Sequence, residues 1–112
     1  MNQDRSYVEE DVYNGNKFYY DKDRVRKNGK YIYFWELSDF LKPTENGVFS
    51  LTTYIQLDCS IFRFKNLRRQ SYKNSMGKGK NSMEWTPKNE WGYPKPKSVK
   101  EFMYNKVCEE HQ

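Results

Sequence analysis

Few residues in this chain of 112 have side chains suited to catalysis. His111 is the only histidine, it is followed by a single residue, and no partners stand at the spacing of a metal site. Without a second histidine or an activated free cysteine, a serine–histidine or cysteine–histidine nucleophile pair is excluded. Carboxylate pairs such as Asp21 with Asp23, or Glu36 with Asp39, could transfer protons, but a hairpin end and a solvated strand face explain them as well. We therefore predict a non-catalytic protein with no metal and no cofactor.

The two cysteines, Cys59 and Cys108, allow two interpretations. In an intracellular protein they would be small core residues, whereas in an exported protein they would form a disulfide bond. A small domain with a thin core is the setting in which a disulfide adds most stability, so the residue types favour the bond without deciding it.

Positive charge between Cys59 and Met83 is the clearest sign of a binding function. This stretch holds no acidic residue and seven basic ones, namely Arg63, Lys65, Arg68, Arg69, Lys73, Lys78 and Lys80. Phe62, Phe64 and Tyr72 are interleaved with them. The pattern could form a polyanion surface on a sheet, as in nucleic-acid binders that use a β-platform. It could equally bind a protein, or be an ordinary solvated strand face and turn.

Composition indicates that the chain folds as one domain. The net charge is only +5 and 20 residues are aromatic, each able to bury about 150–250 Å², although the aliphatic content is low. Alanine, the best helix former, is absent, so we expect little helix. We assign residues 1–12 to a flexible lead-in and residues 13–112 to the domain. No stretch approaches the roughly 20 apolar residues that span a bilayer, and no apolar signal segment follows Met1.

Alternation of apolar and polar residues predicts an antiparallel sheet over most of the domain. The expected strands cover residues 17–21, 24–27, 30–41, 48–58, 61–72 and 81–86. Asn28-Gly29 predicts a tight hairpin turn, because both residues accept a positive φ. In the longest apolar strand we expect the core face to be the one that carries Tyr31, Tyr33, Trp35, Leu37 and Leu41.

One helix is predicted at the end of the chain, over residues 99–110. Ser98 and Glu101 form a capping box, and Pro87–Lys97 contains three of the four prolines and excludes regular structure there. The expected apolar stripe consists of Val99, Phe102, Met103 and Val107. The predicted fold class is therefore α+β: a single antiparallel β-sheet with one C-terminal helix packed on it.

Several ordered motifs resemble the bacterial surface-adhesin protein E family. Tyr19–Pro43 carries a Tyr-x-Asp strand, Arg-x-Arg, a glycine turn and a Phe-Trp-x-Leu-x-Asp-Phe strand. The resemblance continues through Tyr54–Cys59, Arg63, Leu67 and Met76–Gly79, and ends with Glu90–Pro94, Ser98 and Val107-Cys108. It covers residues 13–110, which is nearly the whole domain.

The resemblance implies an exported bacterial envelope protein with an antiparallel sheet, a C-terminal helix and a Cys59–Cys108 disulfide. It implies a location in the periplasm, at the outer-membrane surface or outside the cell, with any export signal removed. The family name refers to adhesion, so we expect a surface binding module for an unidentified protein or glycoprotein, such as a host or matrix glycoprotein. The alternative is a polyanion binder that uses the basic strand and turn at 63–80, with nucleic acid disfavoured. The protein could also form a homodimer.

Overall fold

A computed structural model describes the backbone of residues 7–13 and the backbone and side chains of residues 15–112. The described chain forms one antiparallel sheet of seven strands followed by one helix, which confirms the predicted fold class. The strands are β1 Tyr7–Tyr13, β2 Asn16–Asp21, β3 Arg26–Asn28, β4 Tyr31–Asp39, β5 Ser50–Asp58, β6 Arg63–Tyr72 and β7 Met83–Trp85. The helix, α1, spans Val99–His111.

The strand order is β1-β2-β4-β5-β6-β7, and β3 pairs with the part of β4 that β2 leaves free. Neighbouring strands are consecutive or nearly so in sequence, because short turns connect antiparallel strands. Gly29 provides the expected positive φ, +65°, in the turn between β3 and β4. The first six residues lie outside the described part, and residues 7–12, which we had placed in the lead-in, form most of the edge strand β1.

The helix begins where the capping box predicts. The Ser98 hydroxyl accepts a hydrogen bond from the Glu101 amide at 3.0 Å, and the Glu101 carboxylate accepts one from the Lys97 amide at 2.9 Å. The predicted stripe is partly wrong, because Phe102 is 55% exposed. The buried residues of the helix are Met103, Tyr104, Val107 and Cys108. Tyr104, which is outside the predicted stripe, is fully buried, and its hydroxyl donates to the buried Glu36 carboxylate.

The helix packs on one face of the sheet, which we call the helix face. Its core residues on the strands are Tyr20, Ile32, Phe34, Ile55 and Leu57. The predicted core face of β4 is therefore wrong. Tyr31, Tyr33 and Trp35 lie on the opposite face, which we call the open face, and are only half-buried. Leu41 is 64% exposed beyond the end of the strand. Leu37 is fully buried, but under a turn on the open face.

The Cys59–Cys108 disulfide is present, with the two Cα atoms 5.9 Å apart. This spacing falls within the usual range for a disulfide. The bond joins the residue that follows β5 to the last turn of α1, so the helix is attached to the sheet covalently as well as by packing. The predicted pairing is confirmed.

Candidate functional site

A turn of the chain covers one end of the open face and leaves the other end uncovered by the described residues. Gly77, in the 3₁₀ turn at 75–77, lies over Leu37, Thr52 and Tyr72 and has φ +64°. Its amide donates to the Ser50 hydroxyl at 2.8 Å. This end of the face is therefore a second small core. The other end carries the candidate functional site.

Five half-buried aromatic rings occupy the uncovered end of the open face: Tyr31, Tyr33, Trp35, Tyr54 and Trp91. Alternation along β4 places three of them on this side. Tyr54 of β5 stacks beside Tyr33 with ring centroids 6.2 Å apart and tilts against Trp35 at 5.0 Å. Trp91 reaches the same face from the segment that follows β7 and contacts Tyr31 at 5.7 Å. We call these five rings the aromatic platform.

Two cations of β6 lie over the indole of Trp91. The Arg63 guanidinium is 4.1 Å from the ring centroid and the Lys65 ammonium is 4.6 Å from it, both within cation–π range. The backbone fixes Trp91 there, because Phe64 and the neighbouring Gly92 exchange two hydrogen bonds of 2.9 and 2.8 Å. The absence of a side chain at Gly92 allows this close approach, since an added Cβ would meet the Phe64 ring at 3.0 Å.

Arg63 is held in place by the fully buried carboxylate of Asp58, whose Oδ2 accepts from Nε at 3.0 Å. Burial would raise the pKa of Asp58, but hydrogen bonds from the Ser60 hydroxyl and from Arg63 outweigh it and hold that pKa below its usual value. The pKa of Arg63 is raised by the same bond. This ion pair orients Arg63 without adding net charge.

The cations around the platform outnumber its carboxylates. Arg68 pairs with Glu84 at the margin of the face. The Lys30 ammonium lies 5.4 Å from the Tyr31 ring, and the register places Arg26 opposite Tyr33. Among the described residues no carboxylate forms an ion pair with Lys30, Arg26 or Lys65, so the surface carries a net positive charge.

The seven predicted basic residues do not share one surface. Arg63, Lys65 and Arg68 lie on the open face, whereas a bulge in β6 and the alternation of the strand turn Arg69 toward the helix face. Lys73 donates to the Asn46 carbonyl at 2.5 Å, at the end of the sheet. Lys78 and Lys80 are exposed in the loop that follows the 75–77 turn.

The platform rings are not among the residues that the sequence predicts to bind a partner. Alternation along residues 30–41 instead places Tyr31, Tyr33 and Trp35 on the predicted core face. Trp91 was missed because it lies in a proline-rich segment without periodicity. The alternation of basic residues along β6 could have identified the face that stays in solvent, and with it the rings across the sheet.

A cavity of about 560 Å³ lies on the helix face, between the sheet and the start of α1. Glu36 and Arg69 line it from the sheet, and Lys100 from the helix. The Tyr104 hydroxyl donates to Glu36 Oε1 at 2.6 Å, and the Lys100 ammonium is 3.6 Å from Oε2. Burial, and then the charge of Glu36, raise the pKa of Tyr104 well above its usual value. The phenol therefore stays protonated and acts as a structural donor.

The described residues contain no group of three or more histidine, cysteine or acidic side chains placed to hold a metal ion. His111 is the last residue of α1, where its ring meets Tyr20 edge-on with centroids 6.0 Å apart. Within the same described residues, no helix has the length and apolar character needed to cross a membrane.

Comparison with known proteins identifies the family that the sequence resembles. The sequence model of the family described as surface-adhesin protein E matches residues 6–109, which is nearly the whole chain. A search of curated proteins finds no match.

Solved structures of Haemophilus influenzae protein E share the fold. One is 17% identical, with 95% of this chain and 86% of that chain covered and a TM-score of 0.68. The structure of its selenomethionine form is 17% identical, with 96% of this chain and 88% of that chain covered and a TM-score of 0.72. Protein E from non-typeable Haemophilus influenzae is 14% identical, with coverages of 97% and 79% and a TM-score of 0.64. At these identities the likeness establishes the fold alone.

Proposed function

This chain belongs to the surface-adhesin protein E family, and we propose that it is an exported, non-catalytic binding module whose partner is a host or matrix glycoprotein. The family supports a surface adhesin, and the disulfide supports an oxidising location such as the periplasm, the outer-membrane surface or the cell exterior. Because one fold can serve many functions, the fold alone does not support binding, and the residues of the open face must do so.

The observation that carries the proposal is the aromatic platform. Aromatic side chains offer large contact areas with few torsions to immobilise, and they are enriched at the centre of binding surfaces, as is arginine. Here five rings lie together on a strand face that a small domain would otherwise cover or line with polar residues. Arg63 is already oriented over Trp91 by Asp58, which lowers the entropy lost on binding.

A binding assay on intact matrix tests the proposal. The folded, oxidised domain is applied to immobilised extracellular matrix and to fixed host cells, and the retained amount is measured against concentration. We expect saturable binding that falls about tenfold or more in Trp91→Ala, because this change removes the ring that bridges Tyr31, Arg63 and Lys65.

Trp85→Ala provides the matched control. Trp85 is 37% exposed and pairs in register with Arg69, so its ring lies toward the helix face. The control variant should bind as the unmodified protein does. Equal loss in both variants would contradict a role for the platform, and the absence of saturable binding to either surface would reject the adhesin function.

Salt dependence distinguishes the alternative polyanion function. A nucleic-acid partner should lose orders of magnitude in affinity between about 50 and 200 mM salt. A glycoprotein held by aromatic contacts and only a few ion pairs should lose less affinity over the same range. Only three of the seven predicted basic residues share the open face, and two of those three already have carboxylate partners, which favours the glycoprotein.

A further inference from the structure

The chemistry of the platform narrows the class of ligand. We infer that the part of the partner bound by the open face is an acidic polysaccharide chain, that is, a glycan whose sugars carry carboxylate or sulfate groups. This inference rests on the proposed function, since it assigns a ligand class to the same surface.

The rings can hold sugars because of their shape and charge distribution. The flat face of an aromatic ring is electronegative, while the C–H bonds on one side of a pyranose are weakly electropositive and coplanar, so the two surfaces attract. Tyr33 stacks on Tyr54 with ring centroids 6.2 Å apart, and Trp35 tilts against Tyr54 at 5.0 Å, so the three rings form one continuous group across two neighbouring strands. A linear chain of sugars could therefore lie along the face with successive rings beneath it.

The cations can hold the acidic groups because they stand at the margin of the same rings. Lys65 lies 4.6 Å from the Trp91 centroid and Lys30 lies 5.4 Å from the Tyr31 centroid. Neither has a carboxylate partner among the described residues. An anion that binds either ammonium would be adjacent to a ring, so stacking and ion pairing would act on one sugar unit.

The charge density of the surface favours a glycan over a nucleic acid. Arg63 and Arg68 are each neutralised by a carboxylate, Asp58 and Glu84, and Asp58 is fully buried beneath the surface. A nucleic acid carries a charge on every nucleotide, at intervals of about 3.4 Å along each strand of a duplex, and needs several free cations in succession. A polysaccharide with charges on alternate sugars needs only a few, which is what the surface offers.

Defined probes test the inference directly. Affinities of the oxidised domain are measured at fixed salt for hyaluronan, which has carboxylates only, for heparin, which also has sulfates, for uncharged dextran and for single-stranded DNA. We expect hyaluronan, whose charges stand on alternate sugars, to bind about tenfold or more tightly than dextran and more tightly than DNA. Hyaluronan and heparin together show whether carboxylate alone suffices.

One pair of charge variants and one ring variant connect binding to the platform. Lys65→Gln should weaken glycan binding several-fold and lower its salt dependence, whereas Lys80→Gln, which removes an equal charge from an exposed loop, should leave both unchanged. Tyr54→Leu should weaken binding about tenfold, by analogy with the loss of a stacked ring in single-strand binders. Lys65→Gln keeps the test decisive if the Tyr54 variant does not fold.

The outcomes separate this inference from the proposed function. The acidic-glycan inference would be overturned by equal affinity for dextran and acidic glycans, by tighter binding of DNA, or by equal effects of Lys65→Gln and Lys80→Gln.

Matrix treated with hyaluronidase and heparinase supplies the final comparison. If treated matrix still retains the domain and Trp91→Ala still abolishes retention, the glycan inference fails while the binding module stands. If untreated matrix retains nothing, both fail.

Discussion

The hydrogen bond between Tyr104 and Glu36 joins the helix to the sheet within the core, and Tyr104→Phe isolates its contribution. Phenylalanine keeps the ring and therefore the edge-on contacts with Phe34 and Phe64, whose centroids lie 5.5 and 5.4 Å away. Only the hydroxyl is lost, which donates to Glu36 Oε1 at 2.6 Å and accepts from the Lys100 ammonium at 3.2 Å. The change in unfolding free energy then reports the hydrogen bonds of the hydroxyl and not the packing of the ring, and a second change at Glu36 separates the Glu36 bond from the Lys100 bond.

The expected loss is about 2–3 kcal/mol. A hydrogen bond to a charged group contributes about 1.5–3 kcal/mol, and Glu36 is only 7% exposed, so solvent replaces the lost donor poorly. Lys100, 3.6 Å from the other carboxylate oxygen, compensates in part. For a chain of 112 residues the midpoint temperature should fall by roughly 8–12 °C, at about 4 °C per kcal/mol.

Denaturant unfolding of a double-mutant cycle measures the effect. In a Glu36→Leu background the same Tyr104→Phe change should cost less than about 0.5 kcal/mol, because the hydroxyl has already lost its carboxylate acceptor there and keeps only the hydrogen bond from Lys100. Tyr33→Phe on the open face serves as the control and should stay within about 0.5 kcal/mol of the unmodified protein. An identical cost of Tyr104→Phe in both backgrounds would refute the reasoning.

Alkaline pH gives an independent check of the same bond. The pKa of Tyr104 is raised in the folded state, so the folded protein keeps a proton that the unfolded chain releases near pH 10. This contribution to stability is complete below pH 10 and is lost as the pH rises above it. The difference between the unmodified protein and Tyr104→Phe should therefore shrink above pH 10, and a constant difference would contradict the assignment.

Three further predictions concern the disulfide, the covering turn and the buried ion pair. Cys108→Ser, or reduction, should lower the unfolding free energy by about 2–5 kcal/mol. A bond between cysteines 49 residues apart contributes about 4 kcal/mol on the chain-entropy model. Equal denaturant midpoints with and without reductant would contradict this. Gly77→Ala should cost about 1–2 kcal/mol in the same assay, because φ is +64° there, and an unchanged midpoint would count against it. The pKa of Asp58 is lowered in the folded protein, so the contribution of its ion pair to stability should be present above about pH 4 and lost below it. The unfolding free energy of Asp58→Asn should therefore fall less steeply with decreasing pH than that of the unmodified protein.

Local signals in the sequence predicted the elements well. Alternation and β-favouring residue types located strands β2 to β7 but not β1, Asn28-Gly29 located a hairpin turn, and Ser98 with Glu101 located the start of the helix to the residue. These features act within a few residues, through φ preferences and hydrogen bonds to adjacent amides, so the sequence alone is enough to detect them.

The sequence could not decide which side of each element is buried. Both faces of β4 carry large apolar side chains, and an alternating pattern does not say which set meets the helix. Phe34 faces the core because β4 pairs with β5 so that Phe34 lies opposite Ile55, and α1 covers that side. Phe102 is exposed for a related reason, since the way the helix lies on the sheet turns Tyr104 into the core and Phe102 toward solvent.

The amino-acid sequence by itself determined the order and type of the elements, the positive charge of β6 and the family of the chain, because these depend on residue types, local spacing and ordered motifs. Only the tertiary structure decided the site. It placed Trp91, from an irregular segment, beside Tyr31 of a distant strand, and it separated Arg69 from Lys65 by a bulge in β6. Surfaces made by long-range pairing depend on strand register and on which face is covered, and neither quantity is encoded in any single stretch of the chain.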